Sequence, residues 1–208
     1  MKQTEGVIKY QLDYQPSPLP PGADLRGLFR WFRVCREAGL IGRDPGRYDG
    51  YAYGNISVRA GVGFVISGTQ TGGEAQLTPE LLAWVEDFDI VANRLRAGGP
   101  ARPSSEAMSH GQVYRAIPAV GAVIHVHSPH LWHAATGLNL PTTPRSIAYG
   151  TPAMATAVED ILRADPDEAA GLFVMGGHED GIVAYGPEID VAGAQLLDAL
   201  RRAQTMPA

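Results

Sequence analysis

Pro103-Ser104-Ser105-Glu106 and, downstream, Ala122-Val123-Ile124-His125-Val126-His127-Ser128 are the two stretches on which the reading of this chain turns. Residues 120–127 read as a strand. Side chains on a strand alternate with a period of two, so Ala122, Ile124 and Val126 share one face and Val123, His125 and His127 the other. Two imidazoles side by side on one strand face are an arrangement that a divalent metal accepts. Ser104 or Ser105 can cap a helix running to about Ile117, with Glu106, His110, Val113 and Ile117 on one largely apolar, inward face. A carboxylate in the first turn also suits the helix dipole. Geometry alone leaves Glu106 between capping and chemistry, and the neighbouring His-x-His favours chemistry, as an oxygen ligand or a proton carrier.

Outward from this centre, the pattern is of strands interleaved with helices, an α/β chain. Asp24 caps an expected helix with Leu25, Leu28, Phe29, Phe32 and Cys35 on one face, ending at Gly39, so Cys35 reads as core. A Gly- and Tyr-rich loop spans Gly42 to Tyr53. Asn55 to Arg59 and Val62 to Ser67 read as strands turning at Ala60-Gly61. Thr78-Pro79-Glu80 resembles a helix start, and Leu81 to Ala97 fits a helix or an extended hairpin. Thr151-Pro152 opens a helix through Leu162, ended by Asp165-Pro166. Leu172 to Met175 and Ile182 to Tyr185 read as a hairpin, and a last helix runs from about Asp190 to Arg202. A short strand is expected around Val7 to Leu12. Residues 1–22 read as an arm and Pro-rich connector, and 23–208 as the main domain. Gln15 to Gly22 is a stiff stretch, so residues 1–14 are expected to reach an adjacent subunit.

The 208 residues suit one domain or at most two small ones, and 45% hydrophobic with 19% charged residues is a globular balance. A net charge of −5 argues against a nucleic-acid partner and requires any anionic substrate to be held locally. One cysteine excludes an internal disulfide and fits a reducing compartment. No apolar run reaches the length of a membrane span, and Lys2 and Lys9 precede no apolar leader core, so a cytoplasmic protein is expected.

Gly54-Asn55-Ile56-Ser57-Val58-Arg59, Ile66-Ser67-Gly68, Leu77-Thr78-Pro79-Glu80, Pro103 to Glu106, His110 with Tyr114, and Ala122 to Ser128 occur in one order. That order resembles the class II aldolase/adducin family of metal-dependent sugar-phosphate aldolases, epimerases and dehydratases, from about Leu25 to the C-terminal helix. The resemblance implies a three-layer α/β/α sandwich around a mixed, largely antiparallel sheet, and favours strands in the later part of 81–97. It implies a metal held by His125, His127 and a third histidine entering a late hairpin, here His178, with Glu106 at the metal or moving a proton. The cation expected is Zn2+, with Mn2+, Co2+ or Fe2+ as alternatives. In the family a glycine follows the third histidine directly, whereas here Glu179 and Asp180 intervene before Gly181. Either of them is an alternative contact to the metal or its surroundings.

By the same resemblance Asn55, Ser67, Gly68, Ser104 and Ser105 match positions that hold a substrate phosphate. Ala52 stands where the aldolase pattern often has threonine, and Tyr149 is not clearly equivalent to the tyrosine that a neighbouring subunit contributes. His110 reads as structural or supporting, and His130 and His133 as packing or hydrogen-bonding residues. The activity implied is cleavage or formation of a carbon–carbon bond in a small, phosphorylated ketose through a metal-stabilised enediolate. An epimerase, dehydratase or decarboxylase on the same platform is the alternative. An adducin-like interaction module is a third reading, disfavoured because a scaffold has no need of a metal constellation. A homotetramer is implied, with a proton donor arriving from a neighbour.

Overall fold

The computed structural model describes residues 7–164 and 169–206. In chain order its elements are β1 (Gln11–Tyr14), α1 (Leu25–Glu37), β2 (Gly42–Arg43), β3 (Ala52–Tyr53), β4 (Asn55–Ala60), β5 (Gly63–Ser67), β6 (Leu82–Asp89), β7 (Arg94–Gly98), α2 (Ala107–Ala116), β8 (Ala122–His127), α3 (Pro129–Ala134), α4 (Pro152–Arg163), β9 (Gly171–Val174), β10 (Gly181–Gly186) and α5 (Ile189–Thr205). Eight strands make one sheet in the order β1-β7-β6-β5-β4-β8-β10-β9, and β2 pairs with β3 in a small separate ribbon. Only β1 and β7 run parallel; every other neighbouring pair in the large sheet is antiparallel.

Strand alternation divides the apolar residues into two cores. Phe64, Val85, Val123 and Val183 face one way and pack with Val113 of α2 and Val158 of α4. Ile56, Val58, Ile124 and Ile182 face the other way and pack with Leu28 and Phe32 of α1, Leu131 of α3 and Leu196 of α5. Each helix thus buries an apolar stripe against a sheet face, which is the driving force for layering. The result is the α/β/α sandwich around a mixed, largely antiparallel sheet that the resemblance implied. No described helix is long and apolar enough to cross a membrane.

Helix starts follow local chemistry. Asp24 accepts from Gly27 N at 3.1 Å and caps α1, whose buried face holds Leu28, Phe32 and Cys35. Burial pushes the Cys35 thiol up to about 12, so it is inert core. Thr151 caps α4 through Met154 N, with Pro152 in the first position. The expected stop at Asp165-Pro166 lies outside the described residues.

Three expectations need correction. Pro79–Leu81 is only a single 3-10 turn and Thr78 makes no side-chain cap; the following residues form the hairpin β6–β7, whose buried Leu82, Ala83, Val85, Leu95 and Ala97 complete the sheet. The N-terminal strand lies at Gln11–Tyr14 rather than Val7–Leu12, and the proline-rich stretch does not hold it away. Residues 11–14 pair with Arg94–Ala97 of the same chain, and Ser17 continues the contact through Gly99 N at 2.8 Å. The unpaired edge of β7 offers a row of backbone groups that a nearby extended segment satisfies. Finally, α2 begins after Glu106 rather than after a serine cap.

Candidate metal centre

β8 lies between β4 and β10, hydrogen-bonded on both sides. Its histidine face looks toward the α2/α4 layer, so His125 and His127 are buried rather than solvated. The loop between β9 and β10 supplies His178, also buried. One nitrogen from each of the three lies within 4.8 Å of the others. The ring centroids are 5.1 Å apart for His125 and His127, 5.1 Å for His125 and His178, and 4.7 Å for His127 and His178.

His125 Nδ1 donates to Ile182 O at 3.1 Å, which leaves Nε2 as the unprotonated nitrogen. That Nε2 is buried and has no hydrogen-bond partner among the described residues. A buried, unsatisfied acceptor is costly unless something binds it, and a cation does. Burial, then the neighbouring His178, holds both His125 and His127 well below the usual imidazole range. Both rings are therefore neutral at physiological pH, the form that ligates a metal. Three convergent nitrogens are a donor set compatible with a divalent metal.

Glu106 is buried beside this cluster. Its Oε2 accepts from Ser109 Oγ at 3.0 Å, and its Oε1 lies 3.9 Å from His178 Nδ1. Ser104 does not cap α2; its Oγ accepts from Glu106 N at 3.3 Å and its carbonyl accepts from Tyr10 OH at 2.8 Å. The other anion candidates gather nearby. Asn55 sits opposite His125 in the β4–β8 register, Ser67 Oγ accepts from Ile56 N at 3.1 Å, and Gly68 bridges to Pro103. Ser105 is buried next to Glu106. The Gly68 amide donates to Leu81 O, whereas Asn55 Oδ1 is buried with no hydrogen-bond partner among the described residues.

His110 lies beneath the site. Its Nδ1 is 2.7 Å from Ser57 Oγ, which also meets Tyr114 OH at 2.8 Å, and burial pushes its pKa down to about 3. It supports the sheet face and stands outside the histidine cluster, as do His130 and His133. Asp180 is not one of the clustered ligands either; its carboxylate accepts from Arg47 and Tyr48.

A cleft of about 700 Å³ opens over His178 and is lined in part by Arg47, Tyr48, Trp132, Arg145 and Tyr149. Tyr149 is buried and stacks on His178, with centroids 4.3 Å apart and planes 19° from parallel. Tyr48 sets its ring edge against His127 at 4.6 Å. Burial, then the hydrogen bond to Asp180, raises the Tyr48 phenol above its ordinary value, so it stays a neutral donor. None of these five side chains was singled out as part of the site from sequence. For Arg47 and Tyr48 the Gly- and Tyr-rich composition of residues 42–53 is the local signal; Trp132, Arg145 and Tyr149 lie outside that stretch.

The family described as class II aldolase and adducin N-terminal domain matches residues 45–206. Among curated proteins, 98 residues are 38% identical to the 5-methylthioribulose-1-phosphate/5-deoxyribulose-1-phosphate aldolase of Rhodospirillum rubrum, covering 46% of this chain and 38% of that protein. A methylthioribulose-1-phosphate dehydratase of Xanthomonas euvesicatoria is 49% identical over 45 residues, 22% of this chain and 19% of its own length. The matches thus span well under half of either relative. Among solved structures, L-fuculose-1-phosphate aldolase from Thermus thermophilus superposes with a TM-score of 0.63 at 20% identity, covering 88% of this chain and 97% of that one. A sugar-phosphate aldolase from Thermotoga maritima gives a TM-score of 0.62 at 13% identity, over 84% and 89% of the two chains. Likeness at these identities establishes a common fold.

Proposed function

The chain belongs to the class II aldolase and adducin N-terminal domain family, and on that premise we propose that it is a metal-dependent lyase acting on a small phosphorylated ketose. The buried cluster of His125, His127 and His178, with the Glu106 carboxylate at its side, is the observation that carries this reading. A scaffolding role gives no reason to bury three imidazoles and a carboxylate together, since each costs solvation.

His125, His127 and His178 would hold the cation, for which Zn2+ is the proposed identity. When bound, such a cation supplies Lewis-acid polarisation of a substrate carbonyl and its adjacent hydroxyl. Glu106 moves the proton: its Oε1 faces the cluster, and the Ser109 hydroxyl on Oε2 keeps the carboxylate oriented. Asn55, Ser67, Gly68, Ser104 and Ser105 are proposed to line the phosphate site; the Gly68 amide already donates to Leu81 O, so the donors proposed are the Asn55 amide and the serine hydroxyls. The protein layers above and below the sheet exclude water from the imidazoles and strengthen every charge interaction at the site.

The match to a dehydratase favours a second reading, elimination of water from the same kind of substrate. Incubating the Zn2+-loaded protein with a panel of ketose 1-phosphates and following products by mass separates the two. Paired carbonyl fragments mark aldol cleavage, and a product lighter by one water marks dehydration. No turnover of any ketose phosphate, with metal bound, would sink both. We further propose a cytoplasmic homotetramer, with residues 23–208 carrying the site and β1 of the N-terminal arm completing its sheet.

A further inference from the structure

Two segments that lie far apart in the chain meet over the histidine cluster. Tyr48 OH donates to Asp180 Oδ2 at 2.6 Å, Arg47 Nη2 donates to the same oxygen at 3.3 Å, and Arg47 also donates to the Tyr48 hydroxyl. The Tyr48 ring meets His127 edge-on at 4.6 Å. Asp180 closes the loop that delivers His178, and its carbonyl accepts from Ser128 N at 2.8 Å, directly after His127 on the chain. One phenol therefore touches a histidine of the strand pair and, through Asp180, the loop that carries the third histidine.

Backbone conformation on both sides of this hydrogen bond is unfavourable. Tyr48 (φ 49°), Asp49 (φ 55°) and Gly50 (φ 77°) are three consecutive left-handed residues, and only one is a glycine. Asp180 is left-handed too, at φ 62°. Non-glycine residues hold such angles when the surroundings over-determine them, and they concentrate where function fixes a side chain. The interaction common to the two strained segments is the one between Tyr48 and Asp180. The Arg47 and Asp180 side chains are 32% and 10% exposed, enough burial for a charge-assisted contact to hold its geometry.

We propose that Arg47, Tyr48 and Asp180 form a latch that positions His127 and His178 relative to each other for a divalent cation. This rests on the metal reading above and assigns a role to the two residues inserted after His178: they bring a carboxylate to the Tyr48 phenol. The three are positioning residues, acting through the histidines rather than on the substrate. Their tightness sets how strongly the site holds its cation.

The test compares wild type with Tyr48→Phe, Asp180→Ala, Asp180→Asn and the Tyr48→Phe/Asp180→Ala double variant. The readouts are Zn2+ affinity by competition with a chelating dye, the visible spectrum of the Co2+ form, and the unfolding midpoint of metal-free protein. Partners that orient metal ligands are worth roughly 10- to 100-fold in affinity, so Tyr48→Phe and Asp180→Ala should each weaken Zn2+ binding at least about 10-fold and alter the Co2+ spectrum. Asp180→Asn, which keeps an acceptor for the phenol, should recover part of the loss. The double variant should be no weaker than the weaker single one, because both remove the same interaction. The metal-free midpoint should stay within about 1 °C of wild type, under the roughly 2–4 °C expected from losing a fold-stabilising contact in a chain of this size. Affinities within about twofold of wild type, or losses that simply add, would overturn the latch. So would an equal fall in metal-free stability, which marks a merely structural role. Wild type that takes up no Zn2+ removes the metal reading and the latch together, whereas wild type that binds it beside unchanged variants removes the latch alone.

Discussion

Glu106 Oε1 stands 3.9 Å from His178 Nδ1, although one residue opens α2 and the other sits in the loop between β9 and β10. Both groups are buried, so their contact is set by the fold and not by surface chance. Glu106→Gln keeps the shape and the Ser109 contact but removes the proton carrier. Turnover is expected to fall by at least about two orders of magnitude, with fold and metal content retained. Steady-state kinetics beside elemental analysis checks this; near-normal turnover would return Glu106 to a helix-start role.

Purified protein is expected to carry about one divalent cation per chain, zinc for preference. Elemental analysis of the His125→Ala/His127→Ala double variant should show it lost. Undiminished metal in that variant would place the cation elsewhere.

His110 predicts an acid-side stability slope. Its ordinary value is 6.5, and in the folded chain burial takes it to about 3. Between these two values the unfolded chain binds a proton that the folded chain refuses. Stability is therefore full above pH 6.5 and falls as the pH drops toward 3, by up to about 1.4 kcal/mol per pH unit. Denaturant unfolding of metal-free protein at stepped pH should show a shallower slope for His110→Gln. His125 and His127 are depressed in the same sense, so part of the slope should persist. Equal slopes for variant and wild type would remove His110 from the account.

Gly177 is packed against the backbone: a Cβ there would sit 1.8 Å from Ile147 O. The clash cannot be relieved by rotating a side chain, so Gly177→Ala must move the turn beside His178. A stability loss of roughly 1–3 kcal/mol is expected, together with weaker Zn2+ binding. Wild-type unfolding and metal uptake in this variant would show that the turn adapts freely.

The proposed homotetramer should give a light-scattering mass near four times the 22.2 kDa chain. A fully active species at the chain mass would exclude a shared site.

The parts of this site that follow local rules could be read from sequence. His125 and His127 share a face because strand side chains alternate, and the apolar stripe of α1 announces its inward side. Contacts set by tertiary packing were beyond such rules. Nothing local to Tyr149 indicates that it stacks on His178, or that Tyr48 reaches Asp180. Thr78-Pro79 carries a good helix-start signal, yet β5 offers an open edge that β6 satisfies, and pairing outweighs the weaker propensity. The N-terminal segment departs from expectation for a similar reason, because connector stiffness matters less than the free edge of β7.

The position of β9 at the sheet margin bears on how a cation would leave. His125 and His127 sit on a strand flanked on both sides, so their backbone should exchange hydrogen only when the whole domain opens. His178 hangs from a loop whose first strand is the outermost one, so of the three ligands its segment should be the first to exchange. The dissociation rate of the metal would then follow the fluctuation of a single loop. Solvent would reach the imidazoles one ligand at a time, with the strand pair the last to let go.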